Sequence, residues 1–243
     1  MDQIEQFERE RLERIKMNGL NCNLVRSADT FIRESTLPKY SYNFSWMGRP
    51  IIQYPQDIVA MQEILWQVQP DLMIETGIAH GGSLIFYASI LELIGKGKVL
   101  GIDIDIRKHN RKAIEAHPMF KRISMIEGSS VSDDVIGQVA KAATGKKSIM
   151  VALDSNHTHE HVLKELQMYS GFVTKGSYIV VFDTIIEDIP DDFFHDRPWG
   201  RDNNPKTAVQ KFLKTHDEFI IDKEIEHKLL ITTATDGYLK RVR

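Results

Sequence analysis

Short apolar runs alternate with amphipathic segments along most of the chain. The apolar runs cover residues 71–75, 97–103, 122–127, 148–154 and 177–183. Segments with helical periodicity lie before and between them, at residues 57–68, 83–94, 107–116, 132–143 and 158–170. Because strands at this spacing are joined by right-handed crossovers, they run parallel. The pattern therefore predicts an open parallel α/β sheet with helices on both faces.

The two ends of the chain carry different patterns. Residues 2–17 are charged and predict a helix, whereas residues 38–55 are rich in proline and aromatic residues and predict an irregular aromatic arm, either a lid or an oligomer contact. Near the other end, Asn204 and Pro205 predict the start of a helix. Two further apolar runs, residues 218–222 and 228–233, predict final strands joined by a polar turn. We predict a helix and arm over residues 1–55 and one domain over residues 56–243.

Composition and charge narrow the possible partners. The chain has 243 residues, of which 42% are hydrophobic and 27% charged, enough for one sizeable core. A net charge of -3 with dispersed Lys and Arg gives no basic field for nucleic acid. The single cysteine, Cys22, excludes a disulfide framework, and the first residues contain neither a signal core nor a membrane span. We expect a cytoplasmic protein that binds neither nucleic acid nor membrane and forms a homo-oligomer through its N-terminal segment.

A glycine-rich turn follows the first strand of the predicted sheet. The strand ends near Glu75, and Gly77 and Gly81 precede a helix that Ser83 opens. Glycines let a ligand lie against the main chain, and the helix start directs amide donors into the turn. The spacing matches neither a dinucleotide fingerprint nor a P-loop. Glu75 and His80 lie within this predicted cofactor site, His80 as a contact of the loop or substrate rather than a metal ligand.

The next two strand ends extend this predicted site. Asp103 ends the second strand, where nucleotide-binding sheets place the acid that binds a ribose diol. Gly128 and Ser129 follow the third strand and offer an adenine a flat edge with polar atoms, although Gly-Ser is also ordinary turn chemistry. A nucleoside cofactor without a phosphate tail fits this order, which points to S-adenosylmethionine.

Two more strands end on acids, Asp154 and Asp183. Ligands of open parallel sheets bind outside the carboxyl ends of the strands, so we expect both carboxylates in one crevice, where they can share a cation. Oxygen ligands favour Mg²⁺, and turn capping is the alternative role. His157 is suited to act as a general base at neutral pH, with a structural or substrate-orienting role as its alternative. His159 and His161 are predicted to be exposed at the start of the next helix.

The connection over residues 187–204 is long and contains both charged and aromatic residues. It is too apolar to favour plain disorder, so we predict a mobile cover that places Trp199 and Arg201 against the acceptor. Trp46 and Arg49 of the aromatic arm are predicted to form another wall of the acceptor site. Permanent packing of the aromatic residues is the alternative.

Several strings in this chain resemble the cephalosporin hydroxylase family, whose members look like class I S-adenosylmethionine-dependent methyltransferases. They are SWMGRPIIQYPQD, IETGIAHGGSLIF, GIDIDIR, LDSNHTHEHV and RPWGRDNNPKTAV. The resemblance runs from about Tyr40 to Arg241, and the order of elements is similar to catechol O-methyltransferase. It implies a Rossmann-like class I methyltransferase fold, with a seven-stranded, mostly parallel sheet that contains one antiparallel strand.

The resemblance also implies roles for individual residues. Carried over to matching positions, the methionine part of the cofactor contacts Gly77, Gly81 and Ser83, the ribose Asp103, the adenine Gly128 and Ser129, and the metal Asp154 and Asp183. His157 falls where the catechol enzyme has its catalytic lysine. The chain departs from the family at Phe182, which stands where the antibiotic-pathway member has a second acid.

We therefore predict an O-methyltransferase that uses S-adenosylmethionine. Its acceptor is a small polar molecule, a sugar or glycan-precursor hydroxyl or a related metabolite, with Mg²⁺ assisting and His157 taking the proton. Two alternatives stay open: a metal-dependent hydroxylase or oxygenase, as the family label implies, and a cofactor-binding module without catalysis.

Overall fold

The computed structural model describes residues 2–190 and 193–243. Its strands are β1 (Phe44–Trp46), β2 (Arg49–Ile51), β3 (Leu72–Thr76), β4 (Lys98–Asp103), β5 (Ile123–Glu127), β6 (Ile149–Leu153), β7 (Tyr178–Val181), β8 (Phe219–Ile221) and β9 (Tyr238–Arg241). Within these ranges, a seven-stranded sheet has the order β5-β4-β3-β6-β7-β9-β8. The pairs from β5 to β7 are parallel, and β9 is antiparallel to both its neighbours. The predicted sheet with one antiparallel strand is confirmed.

Helices cover both faces of this sheet. They are α1 (Gln3–Leu20), α2 (Cys22–Thr36), α3 (Pro55–Val68), α4 (Gly82–Ile94), α5 (Lys108–Glu115), α6 (Asp133–Ala143), α7 (His159–Tyr169), α8 (Pro205–Leu213) and α9 (Lys223–Leu229). Successive side chains of a strand point to opposite faces. Met73 thus packs in the hydrophobic cluster that includes α3 and α4, and Ile74 in the cluster that includes α7 and α8. No helix in the described ranges is long and apolar enough to cross a membrane.

The N-terminal segment is more regular than predicted. The helix predicted over residues 2–17 is present as α1, but α2 was not predicted. The aromatic arm contains a 3-10 turn and a hairpin of β1 and β2, so the prediction of an irregular segment was wrong. The arm packs on the start of α4, because a Cβ atom on Gly82 would lie 2.1 Å from the Pro50 carbonyl oxygen. A domain boundary near residue 55 stays a prediction.

The sequence also misplaced the last strand. Residues 223–229, predicted as part of a turn, form α9, and the strand predicted over residues 228–233 is absent from the described chain. Thr232 and Thr233 of that segment instead donate hydrogen bonds to the buried carboxylate of Asp57, the latter from its backbone N–H at 2.9 Å. Tyr238, in the true last strand, donates to the same carboxylate at 2.7 Å. Asp57 thereby ties the start of α3 to the C-terminal segment.

Candidate active site

The glycine turn between β3 and α4 brings two strand ends together. Gly77 and Gly81 both have positive φ angles, +91° and +80°. A Cβ atom on Gly77 would lie only 2.0 Å from the carbonyl oxygen of Asp154, and one on Gly81 would lie 2.4 Å from the Ile114 side chain. These positions therefore need glycine both for their backbone conformation and for space. The predicted cofactor turn and the predicted metal ligand Asp154 are direct neighbours.

Three side chains from distant parts of the chain hold the glycine turn. Asp103, at the end of β4, accepts hydrogen bonds from the N–H groups of Ile78 and Ala79 at 2.8 and 3.3 Å. Asn110 of α5 is buried and donates to the Ala79 carbonyl at 2.8 Å. Arg49 donates to the His80 carbonyl at 3.0 Å from Nε and to the Asn110 side chain at 3.0 Å. The turn is shaped before any ligand binds.

These contacts add to the predicted roles of Asp103 and Arg49. A carboxylate has several acceptor positions, so the contacts of Asp103 leave capacity for a ribose diol. Arg49 contacts the cofactor turn, and its predicted place in the acceptor wall stays a prediction. The clamp formed by Asn110 was not predicted, because an asparagine in the first turn of a helix carries no sequence signal for a contact with a loop 31 residues away.

Glu75 lies fully buried beneath this turn. Ser83 donates a hydrogen bond to one of its carboxylate oxygens at 2.7 Å. Burial raises the pKa of Glu75 to about 8, although the Ser83 hydrogen bond acts in the opposite direction. The other carboxylate oxygen and the hydroxyl of Tyr87 are both buried and make no hydrogen bond of normal geometry among the described residues, although Tyr87 is near enough to act against the rise in the pKa of Glu75. Cofactor contacts of Glu75, Ser83 and His80 stay predictions.

The predicted adenine edge lies beside the predicted ribose acid. Asp103 and Glu127 are paired across β4 and β5, and the Gly128 N–H donates to the Asp103 carbonyl oxygen at 2.8 Å. Ser129 follows on the same turn and is half-buried. The structure thus brings Asp103, Gly128 and Ser129 to one end of the sheet, in the order expected for a nucleoside.

An acidic centre, formed by Asp154, His157 and Asp183, lies at the ends of β6 and β7. One potential ligand atom from each of the three residues lies within 4.8 Å of the others. The His157 Nε2 atom is 3.3 Å from Asp183 Oδ2. Burial, followed by the nearby Asp183 carboxylate, raises the pKa of Asp154 well above its usual range. The centre gathers negative charge that a cation would neutralise.

The backbone at Asp183 turns sharply out of β7. Its φ angle of +57° lies in the left-handed region, which is uncommon for a residue other than glycine. Phe182 before it is buried in the core, and Thr184 after it is buried and donates to the Thr233 carbonyl. Of these three residues, Asp183 alone supplies a ligand atom to the centre. A carboxylate in place of Phe182 would need a different backbone turn to reach the centre.

The aromatic candidates divide between two environments. Trp199 packs its ring edge-to-face with His157, with centroids 4.8 Å apart. Trp46 packs edge-to-face with Phe86 of α4 at 4.8 Å, and its indole N–H donates to Ser89 at 2.9 Å. Trp199 therefore lies at the acidic centre, whereas Trp46 lies on α4, and contact of Trp46 with an acceptor stays a prediction.

The connection that carries Trp199 is anchored at its C-terminal end. Asn203 donates to the Pro198 carbonyl at 2.8 Å and accepts from the His159 N–H at 3.0 Å, while buried Asn204 donates to Glu187. Arg201, in the same stretch, is exposed. Asp191 and Asp192 of the predicted cover lie outside the described residues. The anchors favour a fixed wall near Trp199, and closure of the whole connection stays a prediction.

His159 and His161 were wrongly predicted to be exposed. Both are half-buried. His159 Nδ1 lies 2.8 Å from the Thr207 hydroxyl, and His161 contacts Ser130 and Ser155. Helical periodicity gives the face of a helix but not the loops that pack against it, so these contacts could not be predicted.

Comparisons with known proteins give the family of this chain. Residues 38–242 match the sequence profile of the family described as Rhamnosyl O-methyltransferase/CmcI. The rhamnosyl O-methyltransferase of Mycobacterium tuberculosis is 31% identical over 208 residues, covering 81% of this chain and 78% of the relative. That of Mycobacterium leprae is 32% identical over 202 residues, covering 81% and 82%. A structure of CmcI with Mg and SAM is 16% identical and covers 83% of this chain and 78% of that one, with a TM-score of 0.58.

The chain belongs to the Rhamnosyl O-methyltransferase/CmcI family. The resemblance to the cephalosporin hydroxylase family and the Rossmann-like methyltransferase fold are both confirmed. The protein is an S-adenosylmethionine-dependent methyltransferase, as the sequence predicted.

Proposed function

We propose that this enzyme methylates a hydroxyl oxygen of a sugar, in a glycan precursor or a glycosylated metabolite, with a divalent cation at the acidic centre. The observation that carries the proposal is the cluster of Asp154, His157 and Asp183 beside the glycine turn. Relatives named rhamnosyl O-methyltransferases support a sugar as the acceptor.

The cofactor side of the proposed site is the turn held by Asp103. S-adenosylmethionine, when bound, supplies an electrophilic methyl group. Gly77 and Gly81 allow its methionine part to lie against the main chain, and Asp103 accepts hydrogen bonds from the ribose. Gly128 and Ser129 would flank the adenine. The protein contributes position, because displacement at a methyl group needs acceptor, methyl and leaving sulfur in line.

The acceptor side is the acidic centre. Two carboxylates suit a divalent cation that keeps several water ligands, and Asp154 and Asp183 are the residues that would hold Mg²⁺. Such a cation would lower the pKa of the acceptor hydroxyl. His157 accepts the hydroxyl proton, and its contact with Trp199 orients the imidazole ring. Trp199, whose ring also has the Arg197 guanidinium 5.5 Å from its centroid, would flank the sugar ring, and Arg201 lies two residues further along.

The composition of the centre bears on the rival oxygenase hypothesis. Non-haem iron oxygenases use two histidines and one carboxylate, whereas the cluster in the described residues has one histidine and two carboxylates. The donor set therefore favours a hard cation over a redox iron. The second alternative is a module that binds the cofactor without catalysing transfer, and the following experiment tests it.

The direct test incubates purified protein with methyl-labelled S-adenosylmethionine, Mg²⁺ and pairs of glycosides. One member of each pair carries rhamnose and the other glucose on the same aglycone, and a catechol serves as the non-sugar comparison. We expect label on the sugar oxygen and its loss when excess chelator removes the cation. Label on the catechol but on neither glycoside would contradict the sugar proposal. Cofactor binding without transfer to any acceptor would favour the binding module.

The predicted homo-oligomer has support in the N-terminal segment. Apolar side chains of α1, including Ile4, Phe7, Met17 and Leu20, are exposed. These side chains are candidates for an association surface. A Phe7→Glu, Met17→Glu variant should then have a smaller mass by light scattering, while an unchanged mass would place the contact elsewhere. A cytoplasmic location also stays a prediction.

A further inference from the structure

A polar network lies between the loop after β5 and the loop after β6, with Glu165 and Ser130 buried, His161 half-buried and Ser155 exposed. Its centre is His161 of α7, whose Nε2 atom is 3.1 Å from Ser130 Oγ, 3.2 Å from Ser155 Oγ and 3.4 Å from Glu165 Oε1. Glu165 follows one helical turn later on the same face of α7. One imidazole nitrogen thus contacts both loops and an acid on its own helix.

The hydrogen-bond pattern fixes which atom donates. Ser155 donates its hydroxyl proton to Glu165 Oε1 at 2.7 Å. The Ser155 oxygen can therefore only accept from His161, so Nε2 is the protonated nitrogen of the ring. The same N–H points toward the Glu165 carboxylate and the Ser130 hydroxyl. His161 has one Nε2–H, which lies within reach of acceptors on both loops and on its own helix.

Glu165 has no exposed surface, and its Oε2 atom is buried without a partner among the described residues. A buried carboxylate is expensive to desolvate, and an apolar side chain of similar size is often at least as stable in its place. Packing alone therefore gives no reason for an acid here. Its contacts with Ser155 and His161 give one, because a single carboxyl oxygen of Glu165 lies within reach of both side chains and can hold them in a fixed geometry.

The two loops that His161 joins carry the two halves of the proposed site. Ser130 directly follows Ser129 of the proposed adenine edge, and Ser155 directly follows Asp154 of the acidic centre. We infer that His161, oriented by Glu165, is a positioning residue that sets the separation between the adenine edge and the acidic centre. This inference rests on the proposed function, and it adds that cofactor and cation binding depend on one side chain that contacts neither.

The length of the side chain allows a matched comparison. The amide nitrogen of Gln can occupy the place of the imidazole Nε2, whereas the shorter Asn reaches only the place of Nδ1. We expect His161→Asn to weaken binding of S-adenosylhomocysteine and to raise the Mg²⁺ concentration for half-maximal activity, each by about tenfold. His161→Gln should stay within about threefold of the natural enzyme in both measurements.

A second variant separates the bridge from a local effect. Tyr169 donates to the Ser130 carbonyl at 2.9 Å and so holds the loop after β5 alone. Tyr169→Phe should weaken cofactor binding without changing the Mg²⁺ requirement. If His161→Asn lowers only the melting temperature, with unchanged cofactor affinity and Mg²⁺ requirement, the residue is structural and the inference is wrong.

Hydrogen exchange of the unliganded protein tests the bridge independently of activity. Peptides covering residues 128–132 and 153–157 should both exchange faster in His161→Asn than in His161→Gln. If the natural protein binds no S-adenosylhomocysteine, the proposed function fails, and this exchange measurement still decides whether His161 joins the loops. Unchanged exchange in either peptide would overturn the bridge.

Discussion

The glycine turn and the acidic centre are neighbours, but they are built in opposite ways. Around the turn, Asp103, Asn110 and Arg49 donate or accept hydrogen bonds with its backbone. At the acidic centre, Asp154 and Asp183 bring like charges together, and Asp183 has a left-handed backbone conformation. The backbone groups of the turn already have hydrogen-bond partners on side chains from other parts of the chain, whereas the acidic centre concentrates charge.

This difference indicates how each half responds to its ligand. A turn that is already hydrogen-bonded loses little conformational entropy when a cofactor binds. A centre that gathers carboxylates is destabilising until a cation or a proton neutralises it. We therefore expect substitutions in the turn to weaken cofactor binding, and substitutions in the centre to reduce catalysis while the protein stays folded.

The largest effect is expected from Asp154→Asn. Loss of this carboxylate should lower turnover by about 10³, because several kcal/mol of cation-assisted stabilisation is lost. The same change removes a carboxyl group whose charged form is disfavoured by burial and by Asp183, so the free energy of unfolding without metal should rise by about 1 kcal/mol. Activity assays and chemical denaturation measure the two quantities. A less stable variant would show that the charges of the centre are not in conflict.

Asp71→Asn is the matched control for that substitution. Asp71 directly precedes β3 and so lies at the opposite end of the strands from the acidic centre. It accepts hydrogen bonds from the Lys147 and Ser148 N–H groups at 2.9 and 3.2 Å. The Lys147 hydrogen bond contributes most to lowering the pKa of Asp71. Neutralising a satisfied carboxylate should lower stability and leave turnover unchanged, the reverse of the effects at Asp154.

His157→Ala should lower turnover by about 10² with little change in cofactor affinity, as expected for loss of a general base. Steady-state kinetics and calorimetry give the two parameters, and exposed His109→Ala is the control. A change in acceptor KM alone would assign His157 to orientation.

Sequence analysis predicted the members of the acidic centre because topology brings them together. Parallel strands end at one edge, so acids after β6 and β7 must approach each other whatever their other contacts. The network of His161 and the clamp of Asn110 depend on side chains that meet across 31 residues of sequence, which no local pattern encodes. The last strand was misplaced for a related reason, since Thr232 and Thr233 use their polar groups on Asp57 rather than on a neighbouring strand.

A smaller effect is expected in the turn. Arg49→Ala removes the donors to the His80 carbonyl and the Asn110 side chain, and affinity for S-adenosylhomocysteine should fall by about tenfold. Arg49→Lys should restore only part of it, because an ammonium group cannot reproduce the fork of a guanidinium. Calorimetry measures the affinities, with exposed Arg26→Ala as the control. Unchanged affinity with a raised acceptor KM would instead place Arg49 in the acceptor wall.

The smallest effect on cofactor affinity at neutral pH is expected from Glu75→Gln, because the pKa of Glu75 is raised to about 8 by burial and the group is mostly protonated at pH 7. Below the ordinary pKa of a glutamate the group is protonated in both folded and unfolded chains. As the pH rises toward 8 the unfolded chain releases the proton and the folded chain keeps it, so stability falls by up to about 1.4 kcal/mol per pH unit. Above that range both states are ionised and this contribution levels off. Glutamine has no proton to release, so the variant should lack the slope, and the gap between variant and natural protein should widen from pH 5 to 8. Denaturation curves across that range measure the gap, and a constant gap would show that Glu75 is ionised inside the turn.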